Sequence, residues 1–154
     1  MLAIKRTNSS NLNFQELVKS LDQELRIRDG AEHSFYAQFN KTDYIKHVIV
    51  VFQNNEPVGC GALRAYNENN MEIKRMFVPL KYRRKGIATT ILSELEKWCR
   101  ELNYKKCILE TGIKQPEAIE LYQNHHYKII PNFGPYQDVE NSVCFEKELP
   151  VQSK

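Results

Sequence analysis

The sequence has no long hydrophobic run, no paired cysteines and no strong excess of charge of one sign. Its longest purely apolar stretch, residues 48–52, has five residues, whereas a membrane-spanning helix needs about 20, so no membrane partner is expected. The cysteines form no CxxC pair and stand among apolar neighbours, which predicts reduced core thiols rather than a disulfide framework or a zinc site. These residues are Cys60, Cys99, Cys107 and Cys144.

The charge of the chain is small overall but unevenly placed. The 154 residues carry a formal net charge of +3, which is too little for general binding of polyanions. Ten Lys or Arg but only three Glu fall between residues 74 and 106. This local concentration predicts an anion-binding site rather than an extended nucleic-acid-binding face, so no nucleic-acid partner is expected.

Length and composition predict one globular domain over residues 1–154. Hydrophobic residues make up 42% and charged residues 27% of the chain, which excludes a disordered segment or a coiled coil as its main architecture. Lys5 and Arg6 occupy the place where a signal peptide carries its apolar stretch, so a cytoplasmic location is expected.

Hydrophobic periodicity predicts an alternation of strands and helices. The apolar stripe between residues 14 and 25 is typical of an amphipathic helix, which Asn11 or Asn13 can cap. Another helix is predicted to begin at Pro116. Residues 29–44 are predicted to be irregular or to form a broken helix. Strands are predicted at residues 3–6, 47–53, 58–66, 71–78, 105–110, 127–130 and 142–149. This order is typical of an α+β fold with a mixed sheet of six to seven strands and helices on both faces.

The segment at residues 81–89 leads into the longest predicted helix, which begins at Gly86. Backbone N–H groups in the first turn of a helix have no acceptor within it, and the helix dipole makes this end positive. Gly86 and Ala88 leave these groups accessible, which fits a phosphate group. Three basic residues add positive charge: Arg83, Arg84 and Lys85. Neither GxxxxGK[ST] nor GxGxxG is present, and on these residues alone a solvated basic loop is the alternative.

Motifs before, within and after this turn give the sequence a family resemblance. The run MEIKRMFVP at residues 71–79 precedes Arg83-x-x-Gly86-x-Ala88, and further on stands Gln115-x-x-Ala118-x-x-x-Tyr122, followed by Tyr127. Over residues 48–149 this order resembles the GNAT superfamily of acyl-coenzyme A dependent N-acetyltransferases. The resemblance implies a single-domain GNAT-like fold whose sheet is splayed between the fourth and fifth strands. It also implies direct transfer of an acetyl group from acetyl-CoA, as co-substrate, to a primary amine of a small molecule or peptide, with no metal.

The resemblance also implies where acetyl-CoA binds, with its diphosphate on the amides of residues 84–89 and its pantetheine arm along the preceding strand. Apolar alternation in that strand breaks after Ile73, where Arg75 intervenes, which favours a bulge that opens the strand from the next one. Ordinary strand pairing is the alternative. The N–H of Phe77 or Met76 is the candidate oxyanion donor. The candidate cofactor-binding residues are Met76, Phe77, Val78, Arg83, Arg84, Lys85, Gly86, Ile87, Ala88, Thr89, Gln115 and Tyr122.

Two carboxylates and one phenol are candidates for moving protons. An alkylamine with a pKa of ~10.4 is protonated at neutral pH, so direct transfer requires a base. Glu72 stands where histone-acetylating relatives carry their glutamate, and Glu110, at the end of the next strand, is the second candidate. Tyr122 stands where the family has its general-acid tyrosine. A structural role is the alternative for each of these residues. His126 replaces a family glycine and is expected either to adopt a positive φ or to close its helix differently.

The acetyl acceptor is expected to bind between residues 28–44 and 131–138. Aromatic residues of these segments can line a pocket: Phe35, Tyr36, Phe39, Phe133 and Tyr136. Carboxylates near them can attract a cationic amine: Glu72, Glu110, Asp138 and Glu140. The rival functions are a non-catalytic acyl-CoA sensor and a nucleic-acid-binding module. The sequence leaves open a homodimer through the exposed edge of the last strand.

Overall fold

A computed structural model describes residues 1–29 and 44–151 of the protein. The strands in these residues are Leu2–Thr7 (β1), His47–Gln53 (β2), Glu56–Ala65 (β3), Asn70–Phe77 (β4), Lys106–Gly112 (β5), Lys128–Ile130 (β6) and Ser142–Glu148 (β7). The α-helices are Leu12–Asp29 (α1), Ile87–Glu101 (α2) and Pro116–Asn124 (α3), and short 3₁₀ turns lie at Leu80–Tyr82 and Gly134–Tyr136. Each strand end lies within two residues of its predicted position. The expected acceptor residues Phe35, Tyr36 and Phe39 lie outside the described residues.

Helix α1 begins and ends close to where the sequence predicts. The Asn11 side-chain oxygen accepts the N–H of Phe14 at 2.9 Å, which confirms Asn11 as the cap. The helix has 18 residues against 15 for α2, so the prediction that the helix after Gly86 is the longest was wrong. Its last turn carries Arg26 and Arg28, which lie near the negative end of the helix dipole.

One mixed sheet contains all seven strands, in the order β1-β2-β3-β4-β5-β7-β6. Strands β4 and β5 are parallel, whereas the other neighbouring strands are antiparallel. The β4–β5 pairing covers three register positions and ends at Glu72 opposite Ile108, although β5 continues to Gly112. The sheet is therefore splayed between its fourth and fifth strands, as the resemblance implies.

A bulge in β4 accompanies this opening. Cys60 pairs with Phe77, and Ala62 pairs with Lys74, so β4 carries one extra residue between these positions. Arg75 lies there with a φ of +58°, the left-handed conformation that bulges tolerate. The extra residue reverses the alternation of the strand, because Ile73 packs in the core on one sheet face and Phe77 packs in the core on the other. The bulge that the broken apolar pattern predicts is confirmed.

Helices cover both faces of the sheet, as predicted. Helix α1 packs on one face through Phe14, Leu17, Val18 and Leu21. Helices α2 and α3 cover the other face, with α2 contributing Ile87, Ile91, Leu92, Leu95 and Cys99 and α3 contributing Tyr122. All four cysteines are buried with free thiols. Within residues 1–29 and 44–151 no helix combines the length and apolar character that crossing a membrane requires.

Candidate active site

A cleft opens where β4 and β5 diverge, and the three residues expected to move protons line it. Its walls come from β4 and the end of β5, from the turn before α3, from α3 itself, from α1 and from the segment after β6. The lining includes the predicted residues Glu72, Met76, Glu110, Gln115, Ala118, Tyr122 and Tyr136. Phe77 and Val78 are instead buried in the two cores, so only their backbone groups are candidates for contact with a ligand.

The turn between β4 and α2 presents backbone N–H groups toward solvent. The first hydrogen bond of α2 runs from the N–H of Thr90 to the carbonyl of Gly86, at 3.1 Å. Among the described residues, no acceptor lies within hydrogen-bonding distance of the N–H groups of residues 84–89. These are the donors that the sequence singles out. Such a helix end favours a negatively charged ligand because the unpaired donors and the helix dipole act together.

Gly86 and Arg84 give the turn its shape. Their φ angles are +80° and +65°, a conformation that glycine adopts freely and arginine does not. A Cβ placed on Gly86 would meet no atom within 4 Å, so the space in front of the helix is open. Arg84 and Lys85 are exposed beside this space, where their charges can act on an anion.

Arg83 is placed differently from its two basic neighbours. Its Nε donates to the carbonyl of Val78 at 2.7 Å, and its Nη2 donates to both carboxylate oxygens of Glu24 at 2.8 Å. The guanidinium therefore joins the turn to the end of β4 and to α1. No sequence pattern connects Arg83 with Glu24, which stands 59 residues earlier.

Tyr122 lies on α3 at the wall of the cleft, buried to 6% exposure. Its ring packs against Tyr127 and Phe145, with centroid distances of 5.7 Å and 5.9 Å. None of the described residues forms a hydrogen bond with its hydroxyl. Burial, and secondarily the Glu110 carboxylate, raises the pKa of Tyr122 above its ordinary value. The phenol therefore stays protonated at neutral pH and can donate a hydrogen bond into the cleft.

Both carboxylate candidates lie in the same cleft as Tyr136. The Tyr136 hydroxyl donates to Glu72 Oε2 at 3.4 Å, and Lys74 Nζ lies 3.7 Å from the same oxygen. Glu110 accepts a hydrogen bond from the Ser142 hydroxyl at 2.7 Å. Burial, and then the charges of both glutamates, raises the pKa of Tyr136. The structure thus brings two carboxylates together around one buried phenol.

The sequence reasoning missed two residues of this group. Lys74 stands two residues after Glu72 on the same strand face, so strand alternation offered a signal for it. Ser142 reaches Glu110 from β7, 32 residues away in sequence, and no local pattern marks it.

The other expected residues fall into two sets. Gln115 precedes α3 and lines the cleft, and Phe133 packs edge-on against Tyr136 with 5.7 Å between centroids. Asp138 and Glu140 are exposed and do not line the cleft. His126 has a φ of +71°, the first of the two outcomes expected for it. No group of three or more potential metal ligands occurs within residues 1–29 and 44–151.

The chain is similar to proteins that are named as acetyltransferases or acyltransferases. A family model described as acetyltransferase (GNAT) family matches residues 14–127. The chain is 33% identical over 102 residues to a protein of Azospirillum brasilense named IAA acetyltransferase, a match covering 66% of this chain and 67% of that protein. The matched segment thus spans about two thirds of the length of the curated relatives with the longest alignments, at 66% and 67%.

Solved structures match over nearly the whole chain. A crystal structure described as an acyl-CoA N-acyltransferase from Klebsiella pneumoniae superposes with a TM-score of 0.82 at 28% identity, covering 97% of this chain and 98% of that one. A GNAT family acetyltransferase from Elizabethkingia anophelis with acetyl-CoA bound superposes with a TM-score of 0.70 at 18% identity, covering 96% and 98%. The second likeness concerns the fold.

Proposed function

Because the chain belongs to the acetyltransferase (GNAT) family, we propose that residues 1–154 form one N-acetyltransferase domain. It transfers an acetyl group from acetyl-CoA directly to a primary amine of a small molecule or peptide. The observation that carries this proposal is the pairing of two features at one opening of the sheet. Unpaired helix N–H groups lie at one end of β4, and two carboxylates and a buried phenol lie in the cleft beside the same strand.

The turn before α2 supports binding of the acetyl-CoA diphosphate. Its N–H groups at residues 84–89 supply neutral donors, and exposed Arg84 and Lys85 supply charge. The open space in front of Gly86 leaves room for phosphate oxygens. A structural neighbour binds acetyl-CoA, which agrees with this assignment.

The split between β4 and β5 supports placement of the pantetheine arm. Beyond Glu72, β4 no longer pairs with β5, so backbone groups on that edge are available to the amides of the arm. The thioester would then lie near Met76 and Phe77, whose N–H groups are the candidate donors to the carbonyl oxygen as it becomes negative.

The proposed reaction is a direct displacement at the thioester carbonyl. The amine nitrogen forms a bond to the carbonyl carbon, a carboxylate accepts the amine proton directly or through water, and the C–S bond breaks with the electron pair on sulfur. Glu72 is the first candidate base and Glu110 the second. The ammonium of Lys74 lies 3.7 Å from Glu72 Oε2, at the cleft wall that both residues line.

Tyr122 is the proposed donor to the departing sulfur. A thiol has an ordinary pKa of ~8.5, which lies below the raised pKa of this phenol. Complete proton transfer from Tyr122 to the thiolate is therefore uphill, whereas a hydrogen bond to the developing negative charge is favourable. We accordingly assign Tyr122 to stabilisation of the leaving group, with water delivering the proton after release.

The proposed acceptor class rests on the two carboxylates of the cleft. Glu72 and Glu110 can attract a cationic amine, and one of them then removes its proton. Basic residues also line the cleft, namely Lys74, Arg75 and Lys114, and Leu21 and Leu25 of α1 give it an apolar wall. The need for a base beside the thioester therefore supports a small amine or the amine of a peptide as the acceptor.

Two measurements on the whole chain test the proposal. Acetyl-CoA should raise the melting temperature, because a ligand that binds only the folded state stabilises it, whereas adenosine nucleotides should raise it less. Release of free coenzyme A should then follow for some members of a panel of amines and peptides. Binding without release for any acceptor would favour the acyl-CoA sensor. No binding together with a salt-sensitive gel shift would favour the nucleic-acid-binding module.

A further inference from the structure

The second half of α1 makes ion pairs with three separate parts of the candidate site. Asp22 accepts from the buried guanidinium of Arg75, in the β4 bulge, at 2.8 Å. Glu24 accepts from Arg83, in the turn before α2, at 2.8 Å. One turn further on, Arg28 of α1 binds Glu117 in the first turn of α3 at 2.9 Å. Helix α1 therefore contacts β4, the turn before α2, and α3, although it contains none of the motif residues.

The Glu24–Arg83 contact is the one that bears on the diphosphate turn. Both side chains are partly buried, with 30% exposure for Glu24 and 27% for Arg83, so the contact is shielded more than a fully exposed ion pair. The same guanidinium donates to the carbonyl of Val78 at 2.7 Å. One side chain therefore ties the turn to the residue that follows β4 and to α1.

The turn needs such a constraint because of its backbone. Arg84, directly after Arg83, and Gly86 both have positive φ angles, and a non-glycine residue in this conformation costs roughly 1 kcal/mol or more. Residues 84–89 also make no hydrogen bond through their N–H groups to other described residues. Besides the bonds that Thr90 makes to the Gly86 carbonyl, the interactions of Arg83 are a source of free energy that can hold the turn in this shape.

We propose that Glu24 is a positioning residue for acyl-CoA binding, which it supports by holding Arg83. In this assignment, which rests on the proposed function, Arg83 fixes the shape of the turn and the backbone N–H groups bind the diphosphate. The opposite assignment has Arg83 leaving Glu24 to bind a phosphate directly. The two assignments predict opposite effects of removing the Glu24 charge, because the loss of Glu24 disorders the turn in the first and releases a phosphate ligand in the second.

The experiment measures the dissociation constant of acetyl-CoA by calorimetry for Glu24→Gln, Arg83→Gln and the double variant. We expect each single variant to bind about three- to tenfold more weakly, as for a partly shielded ion pair. The double variant should bind no more weakly than the worse single variant, because the effect of Glu24 on binding is proposed to pass through Arg83. In steady state, KM for acetyl-CoA should rise while kcat at saturation stays near that of the unchanged protein. Glu16→Gln, which removes an exposed charge from the same helix, is the matched control.

Unchanged or tighter binding by Glu24→Gln would overturn the proposal, and so would a kcat that falls with an unchanged KM. An equal loss in Glu16→Gln would also overturn it, because the effect would then belong to the net charge of α1. If Arg83→Gln does not fold, as judged by its melting curve without ligand, Glu24→Gln against Glu16→Gln decides the question alone. Absence of binding in the unchanged protein would instead overturn the proposed function.

Discussion

Removing the hydroxyl of Tyr122 is expected to lower the catalytic rate without lowering the stability of the fold. Tyr122→Phe keeps the ring contacts with Tyr127 and Phe145 and breaks no hydrogen bond that the described residues make. We expect kcat to fall by about 10²-fold, as for loss of one hydrogen-bond donor to a developing negative charge. The acetyl-CoA dissociation constant and the melting temperature should stay nearly unchanged. Steady-state kinetics and calorimetry on both proteins measure this, and an equal kcat would remove the tyrosine from the mechanism.

The two glutamates of the cleft are distinguished by comparing Glu72→Gln with Glu110→Gln. Loss of the base leaves only the amine that is already deprotonated in solution, so the rate should rise steadily from about pH 6 toward the amine pKa of ~10.4. We expect this profile, with a kcat about 10²-fold lower near neutral pH, for Glu72→Gln. Glu110→Gln should keep the original profile. The reverse pattern would transfer the base role to Glu110.

His47 makes the stability of the fold depend on pH. Its ring packs edge-on against Trp98 at 4.9 Å, and burial, with a smaller effect from Lys46, lowers the pKa of His47 below its ordinary value of 6.5. Below pH 6.5 the imidazole of His47 therefore binds a proton more readily in the unfolded chain than in the folded chain. The contribution of His47 to the free energy of unfolding is present above pH 6.5 and is lost as the pH falls below it. The fall in melting temperature between about pH 7 and about pH 5 should be smaller in His47→Gln. An identical fall would exclude His47 as its cause.

At the scale of elements, the contact of α2 with β3 depends on a glycine. A Cβ on Gly61 would lie 2.8 Å from Ile91 and 2.9 Å from both Leu95 and Met76. Gly61→Ala should therefore destabilise the fold by roughly 1–3 kcal/mol, as expected for overpacking. Urea denaturation measures the change. Gly112→Ala is the control, because its nearest contact would be 3.5 Å, and an equal loss in both variants would contradict the packing argument.

The sequence predicts elements well where one local pattern determines them. Strand alternation sets the strand ends to within two residues, and its break after Ile73 reveals the bulge at Arg75. Residues of the turn before α2 are likewise predictable, because a helix start and a glycine define them. The relative lengths of α1 and α2 are predicted less well, because helix ends depend on local contacts more than on the apolar pattern.

The contacts that complete the site come from tertiary packing. Glu24 meets Arg83 across 59 residues, and Ser142 meets Glu110 across 32. Each pair joins different elements, so neither partner carries a spacing that would reveal the other. Sequence reasoning therefore finds the groups that a single strand, turn or helix presents, and it misses the groups that hold those elements together.

At the scale of the whole molecule, the two cores share the same strands. Ile49 and Val51 of β2 face the core under α2 and α3, whereas Val48 and Val50 face the core under α1. Loss of β2 from the sheet would therefore expose both cores at once. A sheet that is covered on both faces in this way couples the packing of its helices through its own backbone.

This coupling predicts that the described fold unfolds as one unit, in agreement with a single domain. Trp98 is the only tryptophan of the chain, and it reports on α2, while far-UV circular dichroism reports on all helices and strands. In urea the two signals should give the same midpoint and the same slope, and saturating acetyl-CoA should move both midpoints upward together. A circular-dichroism transition that precedes the fluorescence transition would mean that α1 and its core separate first. In that case the sheet would not couple its two faces, and the contacts of α1 with the cofactor site would open before the rest of the fold.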